Sequence, residues 1–139
     1  MEEYVLPECG VDAAGKMPDR KIYIMGYSLA GLFALWALME KSVLSGAISC
    51  SGSLWYPDFM EKIQNDCHKL HGKTIYLSVG GKEANTKDPL MANVITCTKE
   101  TYGLLKDQND VKYELNSGGH FADAGKRLAK GLRWMLEEE

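Results

Sequence analysis

The chain has 139 residues with 16 basic and 19 acidic side chains, a net charge of −3. That length gives one domain, residues 1–139, long enough to bury its own core. Its 45% hydrophobic and 25% charged residues are those of an ordinary soluble globule, and no basic cluster stands out to favour nucleic acid as a partner.

Residues 1–19 give no clear pattern, because Gly10, Gly15 and Pro18 interrupt it. Residues 21–25 read as a first strand. Residues 29–41 read as a helix with no polar side chain between Ser28 and Glu40. A helix apolar all round is expected to be buried on all sides. A second strand is expected over 43–50, followed by a loop of small residues, Ser51-Gly52-Ser53, that ends in Trp55 and Tyr56. Residues 58–68 read as a helix with Phe59, Ile63 and Cys67 on one face. Residues 74–79 are β-branched and aromatic in character and read as a third strand.

Asp88-Pro89 signals a helix start, since Asp caps and Pro suits the first turn. That helix is expected to run to about residue 107. A fourth strand follows at 111–115, then the loop Asn116-Ser117-Gly118-Gly119-His120. Residues 121–136 close the chain as an amphipathic helix with Phe121, Ala124, Leu128, Leu132 and Met135 on its apolar face. Strands alternating with helices predict an α/β fold, a parallel sheet with helices on both faces.

The four cysteines, Cys9, Cys50, Cys67 and Cys97, are far apart and form no CxxC pair or Cys/His cluster. Neither a metal site nor a disulfide framework is expected, and free thiols suit a reducing compartment. The acidic start, Met1-Glu2-Glu3-Tyr4, lacks a charged-then-apolar leader pattern. The apolar run at 29–39 falls short of the ~20 residues a bilayer span needs. A cytoplasmic protein without membrane contact is expected.

The chemistry is expected where strands end, because ligands of open α/β sheets bind at the carboxyl ends of the strands. Gly26-Tyr27-Ser28-Leu29-Ala30-Gly31 lies between the first strand and the first helix. A serine on such a tight turn is forced into a strained backbone position, with its hydroxyl clear of the sheet and the helix dipole behind it. The flanking residues must be small, as Gly26 and Ala30 are, although Ala30 stands where the Gly-x-Ser-x-Gly pattern has glycine. The plainer reading is a serine capping a buried helix.

A serine hydroxyl needs a base to act as a nucleophile. His68 and His71 fall in a polar helix end and loop and read as surface residues, whereas His120 follows two glycines at a strand end. A carboxylate should orient the histidine and stabilise its charged form. Glu83, just beyond the third strand, is the first candidate. Asp88 also qualifies by position but has a structural reason as a helix cap. Asp123, or a Ser-His pair without an essential acid, remains open.

The order Ser28, Glu83, His120 is that of α/β-hydrolases. The blocks Gly26 to Leu35, Ser51 to Tyr56, Ser78 to Glu83 and Gly118 to Phe121 together resemble the esterase-D-like group of α/β-hydrolases, which includes siderophore esterases. The resemblance runs from about residue 20 onward. It implies Ser28 as nucleophile, His120 as base, the Leu29 N–H as one oxyanion-hole donor, and no cofactor or metal. It also implies a small-molecule ester as substrate, with Tyr27, Trp55 and Tyr56 as substrate-binding side chains. By resemblance the four strands are the last four of the fold, its C-terminal half.

Two expectations follow from that shortfall. The first strand would leave an open apolar edge, which predicts a homo-oligomer or association with a separate N-terminal half. A second oxyanion donor, from a loop of the first half, would be missing, and one such donor is worth about 10²–10³-fold in rate. The expected function is a serine carboxylic-ester hydrolase. The alternatives are acyl transfer by the same acyl-enzyme, or a truncated, weakly active relative serving as a binding or assembly subunit.

Overall fold

The computed structural model of the protein describes residues 20–137. Cys9 and the unplaced stretch 1–19 lie outside the described residues. Four strands, β1 (Tyr23–Tyr27), β2 (Gly46–Cys50), β3 (Thr74–Gly80) and β4 (Asp110–Asn116), form one parallel sheet in the order β1-β2-β3-β4. Among the described residues four α-helices alternate with them: α1 (Leu29–Glu40), α2 (Phe59–Asp66), α3 (Val94–Leu105) and α4 (Ala124–Glu137).

The strand order explains where the helices go. Successive strands add in one direction, and parallel crossovers are right-handed, so α1, α2 and α3 must all lie on one face. Their apolar side chains form the main core with one side of the strands: Ala34, Leu35 and Leu38 from α1, Ile63 from α2 and Leu105 from α3 meet Ala47, Ile75 and Leu77. Among the described residues only α4 covers the other face, where Met135 packs with Ile48, Cys50 and Tyr76. The period of two in β2 and β3 sends alternate side chains to these two cores.

The structure corrects three local expectations. The stretch after Asp88-Pro89 is first a 3₁₀ turn, Met91–Asn93, and α3 begins only at Val94. The Asp88 side chain accepts the N–H groups of Leu90 (2.8 Å) and Met91 (3.1 Å), which closes a tight turn in place of a first α-helical turn. The last helix starts at Ala124, and Phe121 lies outside it, 91% exposed. Its buried stripe is Arg127, Gly131 and Met135, and Leu132 is exposed. Gly131 sets that rotation: a Cβ there would sit 2.8 Å from both Ile48 and Tyr76, so the helix backbone lies directly on the sheet.

The third correction concerns α1, which is not buried on all sides. Its inner side is, but Leu29 (59%), Phe33 (47%) and Trp36 (37%) are exposed on the outer side. Met25 of β1 is exposed on the opposite face of the sheet, the one shared by Tyr23 and Tyr27, and among the described residues no strand pairs with the outer edge of β1. Also among the described residues, no helix is long and apolar enough to cross a membrane.

Candidate active site

Ser28 sits between β1 and α1 with φ 58° and ψ −123°. Such backbone geometry in a non-glycine residue costs about 1–3 kcal/mol and persists only where its surroundings enforce it. Here the Ser28 N–H donates to the Cys50 carbonyl (3.0 Å), and the Ser28 carbonyl accepts from the N–H of Ser53 (3.0 Å). The N–H groups of Gly31 and Leu32 donate to the same carbonyl and begin the helix. The turn is tightest at Gly26, where a Cβ would lie 2.0 Å from the Ala30 carbonyl oxygen. The Ala30 side points outward and is exposed, so alanine is accommodated there.

His120 comes from the loop after β4. Its Nε2 lies 3.0 Å from Ser28 Oγ, and its Nδ1 lies 2.8 Å from Glu83 Oε2. An ionised carboxylate only accepts hydrogen bonds, so Nδ1 carries the proton donated to Glu83. That leaves Nε2 as the acceptor for the Ser28 hydroxyl. The His120 ring meets Phe121 edge-on, with centroids 5.0 Å apart, and Tyr27 at 5.6 Å.

Glu83 stands in the turn after β3 and is buried. Burial is the largest single influence and disfavours its charge. Hydrogen bonds from Ser51 (2.6 Å), His120 (2.8 Å), the Gly80 N–H (2.6 Å) and Arg127 (3.0 Å) together outweigh it. They hold the carboxyl below its ordinary range.

The structure therefore brings Ser28, His120 and Glu83 into one hydrogen-bonded chain. Asp88 is exposed and engaged in its own turn. Asp123, also exposed, pairs with Lys126. His68 and His71 are exposed and lie outside the site. Leu29 is the first residue of α1, so its N–H is one of those that helical bonding leaves without an acceptor.

A cleft of about 40 Å³ is lined by Ser28, Ser53, Trp55, Glu83, Met91, Val94 and His120. Of the three aromatics expected to bind substrate, Trp55 lines this cleft. Tyr56 is exposed and is not part of its wall, and the Tyr27 hydroxyl is turned to the His120 carbonyl and to Arg127. Among the described residues no group of three or more His, Cys, Asp or Glu side chains is placed to hold a metal ion.

Two contributors have no individual role in the sequence analysis. Ser51 belongs there to a loop of small residues at a strand end, and at φ 45° its hydroxyl donates to Glu83. Arg127 had no assigned role. The signal was present: Arg127 lies four residues before Gly131 and eight before Met135, on the buried stripe of α4.

Structures that resemble this one are esterases and serine hydrolases. The IroE-like serine hydrolase of Shewanella oneidensis matches with a TM-score of 0.72 at 15% identity, over 98% of this chain and 45% of that one. The enterobactin esterase FES of Shigella flexneri matches at 0.70 and 22% identity, over 99% and 37%. The siderophore hydrolase EstA of Aspergillus nidulans matches at 0.67 and 20%, over 97% and 55%. At these identities the likeness is one of fold, that of α/β-hydrolase esterases.

In sequence, the uncharacterized protein YbbA of Bacillus subtilis is 26% identical over 119 residues, 81% of this chain and 48% of YbbA. The chain thus spans about half the length of the relatives it matches. A family model described as "Putative esterase" matches residues 10–129, nearly the whole sequence, and the chain belongs to that esterase family.

Proposed function

We propose that the chain is a serine carboxylic-ester hydrolase that works through an acyl-enzyme on Ser28. One observation carries the reading: Ser28 Oγ, the His120 ring and the Glu83 carboxylate form a continuous hydrogen-bonded chain, 3.0 Å and 2.8 Å long at its two links. The Ser28 hydroxyl adds to the ester carbonyl as His120 Nε2 takes its proton. The negative oxygen that develops is stabilised by the Leu29 N–H and the start of α1. The adduct collapses, the C–O bond to the alcohol breaks, and His120 returns the proton to the leaving alkoxide. Water then attacks the acyl-serine with His120 again as base, and the carboxylic acid leaves. Trp55, Met91 and Val94 offer an apolar wall to the substrate beside Ser28. Should an alcohol replace water in the last step, the same residues perform acyl transfer.

The test is to mix the chain with a chromogenic short-chain ester, quench with acid, and weigh the peptide carrying Ser28. The expected result is an added acyl mass on that peptide, absent from Ser28→Ala and His120→Ala. A folded chain that neither releases alcohol nor holds an acyl group contradicts the reading and favours a binding or assembly subunit.

The outer side of α1 supports a statement about partners. Leu29, Phe33 and Trp36 of α1 make an exposed apolar strip, and β1 leaves an open strand edge among the described residues. Parallel sheets are normally covered on both faces and extended at such edges. We propose that the strip is covered by the remainder of an esterase domain, because the chain matches only about half of each relative. Sedimentation with and without the part of Bacillus subtilis YbbA outside the matched region tests this. Complex formation that Phe33→Glu abolishes is expected. Self-association through the strip would assign it to a second copy instead, and a monomer that binds neither contradicts the proposal.

A further inference from the structure

Helix α4 carries one charged side chain into the interior. Arg127 is 2% exposed. Its Nη1 lies 3.0 Å from Glu83 Oε1, 2.7 Å from Ser51 Oγ and 3.0 Å from the Tyr27 hydroxyl. Its Nη2 donates to the carbonyls of Gly119 (3.0 Å) and Ser117 (3.4 Å). Tyr27 ends β1, Ser51 follows β2, Glu83 follows β3, and Ser117 and Gly119 follow β4. One guanidinium thus reaches the carboxyl end of every strand.

The division of labour at Glu83 is informative. Oε1 takes Arg127, Ser51 and the Gly80 N–H, while Oε2 faces His120. With Oε1 held, the carboxylate cannot rotate its second oxygen away from the imidazole. On the other side, Arg127 holds the Gly119 carbonyl, next in the chain to His120, and the Tyr27 hydroxyl that donates to the His120 carbonyl. The packing leaves no slack: a Cβ on Gly80 would lie 2.6 Å from Arg127 Nη2 and 2.8 Å from Glu83 Oε1. Arginine fits this task because its donors form a rigid planar fork, which a lysine ammonium cannot reproduce.

We propose that Arg127 is a positioning residue for the reaction, orienting Glu83 toward His120 and pinning the loop that carries His120. The proposal rests on the Ser28 hydrolase reading. The titratable and charged groups around the Glu83 carboxylate are Arg127 from α4, His120 from the β4–α4 loop and Tyr27 from the end of β1. Beyond them, the Cys50 thiol of β2 lies within the field of Arg127 and is pushed up by burial. Removing the guanidinium takes away the cation in contact with Glu83 Oε1. Glu83 then protonates at higher pH and loses its fixed orientation.

The experiment is the second-order rate of Ser28 labelling by a fluorophosphonate, measured against pH on the full chain. The variants are Arg127→Met, Arg127→Lys, Glu83→Gln and Glu83→Gln with Arg127→Met, each first shown to be folded by circular dichroism. Arg127→Met is expected to slow labelling about 10–100-fold, in line with the loss from a misplaced catalytic group. It should also move the acid limb of the profile to higher pH, the direction expected when Glu83 loses a neighbouring cation. Arg127→Lys should restore the acid limb but only part of the rate. In the Glu83→Gln background the Arg127→Met change should cost less than about threefold, since its main route of action is gone.

A folded Arg127→Met that labels at the wild-type rate with an unmoved acid limb overturns the proposal. So does a slowing of the same size with and without Glu83. Should Arg127→Met not fold, folded Arg127→Lys decides. Labelling of Arg127→Lys at the wild-type rate overturns the proposal, and slowed labelling with the acid limb kept supports it. Absence of labelling in the folded wild type counts against the hydrolase reading itself, while the Glu83 titration by carboxyl carbon NMR, compared between the wild type and Arg127→Met, still reads the hold of Arg127 on Glu83.

Discussion

Two regions of this molecule adjoin at Ser28 and Leu29 and are built on opposite terms. At the carboxyl ends of the strands, Arg127, Glu83, Ser51, Tyr27 and His120 form a buried network in which each polar group has a partner. Along the outer side of α1, Leu29, Phe33 and Trp36 stand in the open, with Phe33 and Trp36 stacked on each other at 5.6 Å. The first region is costly to bury and is fully paired; the second would be favourable to bury and is left uncovered. The comparison teaches that the two tasks are separable. Among the described residues, the hydrogen bonds that set the Ser28–His120–Glu83 geometry come from within the four-strand unit, and Phe33 and Trp36 make none of them.

The comparison is broken most severely at Gly26. Its Cβ would overlap the Ala30 carbonyl at 2.0 Å, so Gly26→Ala must open the turn that holds Ser28. The expected outcome is a loss of more than about 4 kcal/mol in a urea titration, beyond the ordinary range for a point mutation.

Next comes Glu83→Gln, which leaves Arg127 buried without its counter-ion. Breaking such a pair costs about 3–5 kcal/mol. Exchanging the acid of a serine triad for its amide lowers turnover by about 10⁴-fold. The sign of the pH effect follows from the lowered pKa of Glu83. Its charge contributes stability that is present above the unfolded value, 4.5, and is lost as pH falls through the lower folded value. The stability gap between wild type and Glu83→Gln, read from melts at successive pH values, should be widest above pH 4.5 and close in acid.

Substitutions on the exposed strip should behave differently. Phe33→Gln with Trp36→Gln trims side chains that are 47% and 37% exposed, so its melting free energy should fall by about 1 kcal/mol per site, far less than at Gly26. Association with the part of Bacillus subtilis YbbA outside the matched region, measured by light scattering, should fall in the same variant. The smallest effect is expected at Gly103, an exposed position of α3 where a Cβ would meet nothing within 4 Å. Gly103→Ala should raise stability by about 0.4–1 kcal/mol, through the lower entropy of the unfolded chain.

Much of this could be read from the residues because the governing signals were local. The β-branched run before Gly80 and the apolar run before Gly26 mark strands, and the small residues around Ser28 mark the turn. The positions of Glu83 and His120 just after strands were enough to bring them to one edge of the sheet. What escaped was tertiary. An arginine among Lys126, Arg133 and Lys130 reads as one more solvated charge, and only the packing of Gly131 on Ile48 and Tyr76 turns it inward. The same close contact rotated α4 away from the stripe that Phe121 and Leu132 suggested. The helix expected from Asp88 was shortened because the Asp88 side chain closed a 3₁₀ turn first. The outer side of α1 reads as buried because hydrophobicity alone cannot say whether a cover is present.

The central claim is that a reactive serine is assembled by this chain's own contacts. The most direct test is labelling of the purified, folded chain with a fluorophosphonate and mass analysis of the product. The account predicts one adduct per chain, on Ser28, lost in Ser28→Ala and reduced at least about 10³-fold in His120→Ala. A folded wild type that takes up no probe, or takes it up equally without His120, would contradict it.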